Sequence, residues 1–306
     1  MSYALTVRNL TRTYPGGGGI RGISFTAQHQ SVTAVIGPNG AGKTVLFSLI
    51  AGLASADSGT VEFGSSGVRV AYCPDVPQFE SWLTAREVVQ TSYAISLEKG
   101  RANTGTRGEI AHQALEACGL GAVAHRRIAD FSRGMLQRLG IAAALVTDPE
   151  ILILDEPNSA LDPIGRADVR DLITAQKRQR CILLSSHLLS EVEQLADHIV
   201  LIDQGRIITQ GTTGSILTAG LAPVWNIRLG APAQITASDL AVAVPEALFE
   251  FETDTLCTAR FRSFKAAATQ LMTALNVFRS PIIEVTLRDR DLDASFARIV
   301  QNQEHR

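Results

Sequence analysis

Gly37-Pro38-Asn39-Gly40-Ala41-Gly42-Lys43-Thr44 fits the phosphate-cradling pattern G-x-x-x-x-G-K-[ST] in full. The run before it, Val32 to Ile36, is short, apolar and β-branched, so it reads as a buried strand. The run after it, Val45 to Leu53, reads as a helix. Strand, glycine loop and helix in that order is the context the pattern needs. Gly37, Gly40 and Gly42 let the backbone turn tightly and aim its N–H groups at phosphate oxygens. The helix that follows adds the positive end of its dipole. Lys43 is expected to reach β- and γ-phosphates, and the Thr44 hydroxyl to ligate Mg²⁺.

Downstream, Ile151 to Pro157 reads ILILDEP. Its apolar residues make a fully buried strand, and Asp155 and Glu156 follow at the C-terminal end, where ligands meet parallel α/β sheets. Asp155 is placed to hold Mg²⁺, directly or through water. Glu156 is placed to orient and deprotonate a water aimed at the γ-phosphate, a role that contributes about 10²–10⁴-fold. A plain acidic turn is the other reading of this pair, and the phosphate loop upstream weighs against it.

The rest of the chain alternates strands and helices, which argues for a mostly parallel sheet covered on both faces. Residues 3–8 and 23–27 read as strands around the flexible turn Pro15–Gly19, and 60–63 and 68–73 as two more. A largely helical insert, about 75–146, follows. Thr84-Ala85-Arg86-Glu87 has the form of a capping box, so a helix should begin at Ala85. Further helices are expected at 109–118 and 133–146, after an exposed loop at 101–108. A strand at 182–185 precedes a second capping box, Ser190–Glu193, opening a helix to about Asp197. Residues 199–202 and 206–209 read as a hairpin turned by Asp203-Gln204-Gly205. The composition shifts near 214–223. Beyond it the order is strand (224–229), helix (236–243), strand (247–252), strand (257–263), helix (264–276), strand (281–287) and helix (291–301), with Phe264, Ala268, Leu271 and Leu275 on one face of helix 264–276. The first six of these follow the βαββαβ order of a ferredoxin-like unit. No catalytic constellation falls in that segment; packing or dimer support, and partner or ligand sensing, both fit it.

The chain has 306 residues, 28 basic against 30 acidic, and 45% apolar residues, the profile of one large or two modest domains with a true core. No basic stripe points to nucleic acid. Cys73, Cys118, Cys181 and Cys257 are scattered without metal-ligand spacing and read as reduced packing residues. The N-terminus lacks the layout of a signal peptide. The longest apolar runs, such as 140–146, fall far below the roughly 18–20 residues that span a bilayer. Any membrane role therefore needs a partner.

Together the ordered motifs make residues 1 to about 215 resemble the nucleotide-binding subunit of ATP-binding cassette transporters. Phe131-Ser132-Arg133-Gly134-Met135-Leu136-Gln137-Arg138 occupies the place of the family's signature sequence. Ser159-Ala160-Leu161-Asp162 matches the loop that crosses to the opposite subunit, and His187, after Ser185-Ser186, matches the switch histidine near the γ-phosphate. Tyr14 sits where an aromatic ring stacks on adenine, or is simply a strand-edge aromatic.

The resemblance implies an α/β fold of the P-loop NTPase type, a RecA-like core with an antiparallel β subdomain and a helical subdomain over residues 1–215; the element order adds a small C-terminal α+β domain over 223–306. The resemblance also implies ATP and Mg²⁺ as cofactors, and ATP hydrolysis that powers a separate integral membrane permease. The ATPase would work as a homodimer on the cytoplasmic face of the membrane. Nucleotide would be held by Tyr14, by Gly37, Pro38, Asn39, Gly40, Ala41, Gly42, Lys43, Thr44 and Val45, and by Ser132 and Gly134 of the opposite subunit. The metal would be held by Thr44, Asp155 and Asp75, and Glu156, His187 and Lys43 would be catalytic. A serine hydroxyl, a glycine N–H and a helix N-terminus together suit an anion, which gives the signature segment its physical reason.

Two departures stand out. Asp75 falls where the family has a glutamine that touches Mg²⁺ and links the site to the membrane subunit. Aspartate is also a hard oxygen ligand, but shorter and charged, which puts the linking role in doubt and leaves Gln78 as a substitute. Arg133-Gly134-Met135 stands where two glycines and a glutamine are commonest; this form, with a C-terminal extension, looks like the branch that serves exporters of drugs, polysaccharides, lipids or ions. The alternative is a soluble mechanical or regulatory ATPase of the same superfamily. Such motors usually carry two cassettes, a long coiled coil or zinc cysteines, none of which this sequence has.

Overall fold

The computed structural model describes residues 3–97, 105–159, 161–187, 189–219, 221–288 and 292. The chain divides into two compact units, Met1–Ile216 and Leu217–Arg306.

In chain order the first unit runs β1 (Tyr3–Thr13), β2 (Gly19–Gln28), β3 (Val32–Ile36), α1 (Lys43–Ile50), β4 (Ser58–Phe63), β5 (Val70–Cys73), α2 (Ala85–Leu97), α3 (Arg107–Ala117), α4 (Arg133–Leu145), β6 (Ile151–Leu154), α5 (Pro163–Lys177), β7 (Cys181–Ser186), α6 (Leu189–Leu195), β8 (His198–Asp203) and β9 (Arg206–Thr212), with α7 (Thr213–Thr218) after it. Six strands form one sheet in the order β5-β6-β7-β3-β8-β9. The first five are parallel and β9 closes the edge antiparallel. Every residue of β3, β6 and β7 is buried, as expected of strands covered on both faces. The register sets Ile36 beside Ser186, and Leu154 beside Leu184. The chain therefore leaves β3, β6 and β7 at neighbouring points of one sheet end, which carries the phosphate loop, the Asp155-Glu156 pair and His187.

β1 and β2 pair as a hairpin, and β4 adds to β1. The apolar side chains Leu5, Val7, Leu10, Ile23 and Phe25 of this small sheet pack in one core with Leu46, Phe47 and Ile50 of α1 and with Val35, Ile153 and Leu183 of the large sheet. Each such side chain contributes about 1.5–3 kcal/mol of transfer free energy. That wedges α1, and with it the loop at its N-terminus, between two sheets. Gln204 and Gly205 both have positive φ (45° and 76°), as a two-residue type I′ hairpin turn requires. The Gly205 N–H donates to Ala41 O at 3.0 Å, which fastens the β8–β9 turn to the phosphate loop.

Several sequence expectations shift. The first hairpin strands are longer than 3–8 and 23–27. Thr84 and Glu87 form the expected box on α2. α3 begins at Arg107 rather than Glu109, because Thr106 and Glu109 make a full capping box two residues earlier; part of the loop expected at 101–108 lies outside the described residues. α6 already includes Ser190, so Ser190 is not its cap, and the helix ends at Leu195 rather than near Asp197. α5 was not expected at all. Its Asp162 accepts from Gly165 N, Pro163 fills the first turn, and Val169, Leu172 and Ile173 are buried, which are the ordinary signals of a helix start and an apolar stripe.

All four cysteines are buried and free. Burial pushes the thiols of Cys118 and Cys181 up to about 12 and that of Cys257 to about 11, and raises Cys73 further.

The second unit runs β10 (Val224–Leu229), α8 (Ala237–Ala243), β11 (Ala247–Thr253), β12 (Leu256–Phe261), α9 (Phe264–Val277) and β13 (Ile282–Leu287). The antiparallel sheet has the order β11-β12-β10-β13, the ferredoxin-like arrangement. The buried side of α9 is only partly the expected one: Leu271 and Leu275 pack against the core as expected. Ala267, Ala274 and Phe278 just past the helix face the core, whereas Phe264 and Ala268 are exposed. Small alanines let the helix sit close to the sheet, and Phe264 instead meets Trp225 edge to face at 5.8 Å. The helix expected at 291–301 lies outside the described residues except for Leu292.

Candidate functional site

The phosphate loop depends on its glycines for concrete reasons. A Cβ on Gly37 would lie 2.0 Å from Ile202 O, so only glycine lets the chain leave β3 against β8. Gly42 caps α1 at φ 105°, and a Cβ there would meet Ile20 Cγ2 at 2.6 Å. Gly40 also has positive φ (82°), but it faces open space. Lys43 curls back over the loop, donating to Gly37 O at 2.8 Å and Pro38 O at 3.4 Å.

An open cleft of about 280 Å³ lies above the loop. Its lining brings together the contiguous stretch Pro38–Val45 with Asp75, Asp155 and Glu156, and adds Gly19 at the start of β2. Lys43 Nζ is 3.5 Å from Glu156 Oε1, and His187 Nδ1 is 2.7 Å from Glu156 Oε2. The Glu156 carboxylate is thus clasped between a buried ammonium and a half-exposed imidazole. The clasp needs an unusual backbone: Glu156 has φ 48°, a left-handed conformation that costs a non-glycine residue about 1–3 kcal/mol.

Ser185 holds that turn in place. Its Oγ accepts from Glu156 N at 2.8 Å and donates to Asp155 Oδ1 at 2.5 Å. Tyr72 donates to Asp155 Oδ2 at 3.1 Å. Burial, and next the charge of Asp155, raise the Tyr72 phenol well above its ordinary pKa, so it remains a donor. Asp155 is only 2% exposed, and these two donors offset the cost of burying its charge. The sequence reading gave Tyr72, Ser185 and Gly19 no role at the site. The two hydroxyls stand near the ends of strands flanking β6, and polar residues at the ends of otherwise apolar strands were the available signal.

Thr44, Asp155 and Asp75 bring hard oxygen donors to one cleft, which suits Mg²⁺. Among the described residues no group of three or more His, Cys, Asp or Glu is arranged to hold an ion unaided. Phosphate and water oxygens would have to complete the coordination, which is how Mg²⁺ is commonly held. Asp75 has a second engagement, since its Oδ1 accepts a hydrogen bond from Ser159 Oγ.

Tyr14, Ser132 and Gly134 are not part of the cleft lining. Tyr14 sits past the end of β1, 42% exposed, with Arg12 over one ring face at 5.1 Å. Ser132 is the N-cap of α4 and accepts from Met135 N at 3.2 Å. Gly134 lies against Leu161, where an added Cβ would approach Cδ2 to 2.8 Å. The signature segment and the loop after Glu156 are therefore neighbours. Ala160 of that loop, and Leu188 after His187, lie outside the described residues.

Comparison with known proteins agrees with this geometry. A family profile described as ABC transporter matches residues 20–159. An uncharacterized ABC transporter ATP-binding protein of Bacillus subtilis (strain 168) is 38% identical over 211 residues, covering 68% of this chain and 70% of the relative. The bacitracin transport ATP-binding protein of Bacillus licheniformis is 36% identical over 222 residues, covering 69% and 70%. The lantibiotic transport ATP-binding protein of Streptococcus pyogenes is 35% identical over 216 residues, covering 67% and 90%. A solved ATP-binding subunit of an ABC transporter superposes with a TM-score of 0.61 at 27% identity, over 70% of this chain and 91% of that one.

Proposed function

Because the chain belongs to the ABC transporter family, as an ATP-binding and ATP-hydrolysing subunit that powers a membrane permease, we propose that it drives an exporter and works as a head-to-tail pair of copies with Mg²⁺-bound ATP between them. The observation that carries this reading is the clasp on Glu156, a carboxylate oriented by Lys43 and His187 at the rim of a phosphate loop. Glu156 takes the proton of the attacking water, and His187 steadies Glu156 and reads the loss of the γ-phosphate. Lys43 exchanges its loop and Glu156 contacts for phosphate oxygens, with loop N–H groups alongside. Thr44 and Asp155 would hold Mg²⁺, which supplies charge neutralisation at the phosphates; Asp75 is a third oxygen donor for it. Tyr14 offers its uncovered ring face to adenine. Ser132 and Gly134 present the N-terminus of α4 to the nucleotide of the opposite copy, so each site is completed by its partner.

Among the described residues no helix is long and apolar enough to cross a membrane. We infer a peripheral location on the cytoplasmic face, held by the permease. A groove of about 830 Å³ lined by Phe79, Ile95, Pro77, Gln78, Val68 and others is the surface offered to it. The form of the signature segment supports export, and the relatives are named for bacitracin and lantibiotic transport. The test is isolation of the tagged chain from membranes: a polytopic membrane protein is expected to copurify, and a slowly hydrolysed ATP analogue is expected to pair the copies. A chain that comes away alone and stays single with the analogue would overturn the proposal.

Tyr72 gives a separate check on the metal assignment. Tyr72→Phe removes one of the two hydroxyl donors to Asp155. The Mg²⁺ concentration for half-maximal hydrolysis is expected to rise about ten-fold, as is common when a partner of a metal-holding group is lost. An unchanged Mg²⁺ requirement would reduce Tyr72 to packing.

A further inference from the structure

The second unit ends its sheet on β13, one of two edge strands in the order β11-β12-β10-β13. Its residues Ile282-Ile283-Glu284-Val285-Thr286-Leu287 are mostly β-branched, with no proline or glycine to blunt the edge. Ile282 is 36% and Ile283 66% exposed. Among the described residues β13 pairs with β10 alone. Arg288 N donates to Val224 O at 2.8 Å, so the ladder bonds of Thr286 and Glu284 also turn inward to β10. By the same alternation Val285 and Leu287 turn their N–H and C=O groups outward, open to another strand. The side chain of Val285 packs with the core under α8 and α9. Glu284 and Arg288 lie on the opposite, open face, where Glu284 meets Arg228 at 3.4 Å and Arg288 reaches Glu252 at 3.1 Å.

We propose that β13 is the seam of a second contact between copies of this chain, formed without nucleotide. Two such strands run antiparallel with the two-fold axis at Thr286. Val285 of each then faces Leu287 of the other and exchanges backbone hydrogen bonds with it, which joins the two four-stranded sheets into one. On the open face Glu284 of each copy lies opposite Arg288 of the other. A row of alternating charge crosses the seam: Glu252, Arg288, then Glu284 and Arg228 of the second copy. The other edge is unsuited to the same use. Glu250 and Glu252 are the only charged side chains of β11, and self-pairing there sets carboxylate beside carboxylate. The seam rests on the strands of the second unit and not on the ATPase reading, and it keeps copies together while nucleotide is absent.

The experiment is sedimentation of the full chain without nucleotide over a concentration series. Self-association is expected. Glu284→Arg and Arg288→Glu are each expected to weaken it about ten-fold or more, because each sets like charges opposite one another at both symmetric positions. In an equal mixture of the two variants both positions again bring opposite charges together, and association is expected to return to within about three-fold of the unaltered chain. That recovery also shows that both variants fold. Val285→Pro deletes an outward donor without touching the β10 ladder and is expected to abolish association, with a thermal melt to confirm the fold. A chain that stays single at every concentration, association untouched by Val285→Pro, or a mixture no tighter than its components would each overturn the seam. With a slowly hydrolysed ATP analogue the Glu284→Arg chain is still expected to pair through its cassettes. Loss of that pairing overturns the ATPase reading alone, and loss of the nucleotide-free association overturns this inference alone.

Discussion

Glu156→Gln is expected to lower ATP hydrolysis by about 10²–10⁴-fold, the usual contribution of a positioned general base, while ATP-bound pairs of the chain accumulate. The substitution is nearly isosteric. A glutamine carbonyl can remain by Lys43 and its amide can still donate to His187 Nδ1, so the clasp loses its proton acceptor more than its shape. In the proposed mechanism nucleotide entry depends on the loop, the lysine and the metal donors, which the change leaves in place. The exit from the ATP-bound state is hydrolysis, so blocking it should trap the closed form. Light scattering after gel filtration with Mg²⁺ and ATP reads the pairing, and phosphate release reads the turnover. Undiminished turnover would remove Glu156 from the mechanism.

Lys43→Ala has the second large effect, and it falls on binding. Lys43 is the sole cationic side chain among the described residues that line the cleft, against three carboxylates from Asp75, Asp155 and Glu156. Without it a triphosphate meets backbone N–H groups in an otherwise anionic wall. Hydrogen bonds to charged groups are each worth about 1.5–3 kcal/mol, so nucleotide affinity is expected to fall about a hundred-fold. Titration with a fluorescent ATP derivative measures this. Lys43 also fastens the loop through Gly37 O and Pro38 O, so a thermal melt must accompany the titration. Affinity within about two-fold of the unaltered chain would show that the loop amides alone hold the phosphates, contrary to the charge-assisted contacts argued above.

The phosphate loop and the carboxylate pair were legible in the sequence because their requirements are local. Positive φ at Gly40 and Gly42, an apolar strand and an acid at its end are all written in consecutive residues. The capping box on α2 and the βαββαβ order of the second unit were readable for the same reason. What could not be read depends on neighbours that the sheet brings together. Tyr72 and Asp155 are 83 residues apart, Ser185 and Asp155 are 30 apart, and Asp75 and Ser159 are 84 apart. Parallel strands β5, β6 and β7 make these pairs adjacent, and no local pattern encodes that register. The buried side of α9 was read only in part, Leu271 and Leu275 rightly and Phe264 and Ala268 wrongly, on other grounds. The rule that large apolar residues point inward chose Phe264, whereas close approach to the sheet selected Ala267 and Ala274.

The sealed thiols have a practical consequence. With each native cysteine enclosed in a core and holding its proton, the folded chain should be chemically silent toward maleimides. A single cysteine introduced at the exposed Arg133 would then carry a spin label on an unaltered background. The spacing between two such labels would turn the pairing of copies into a ruler reading.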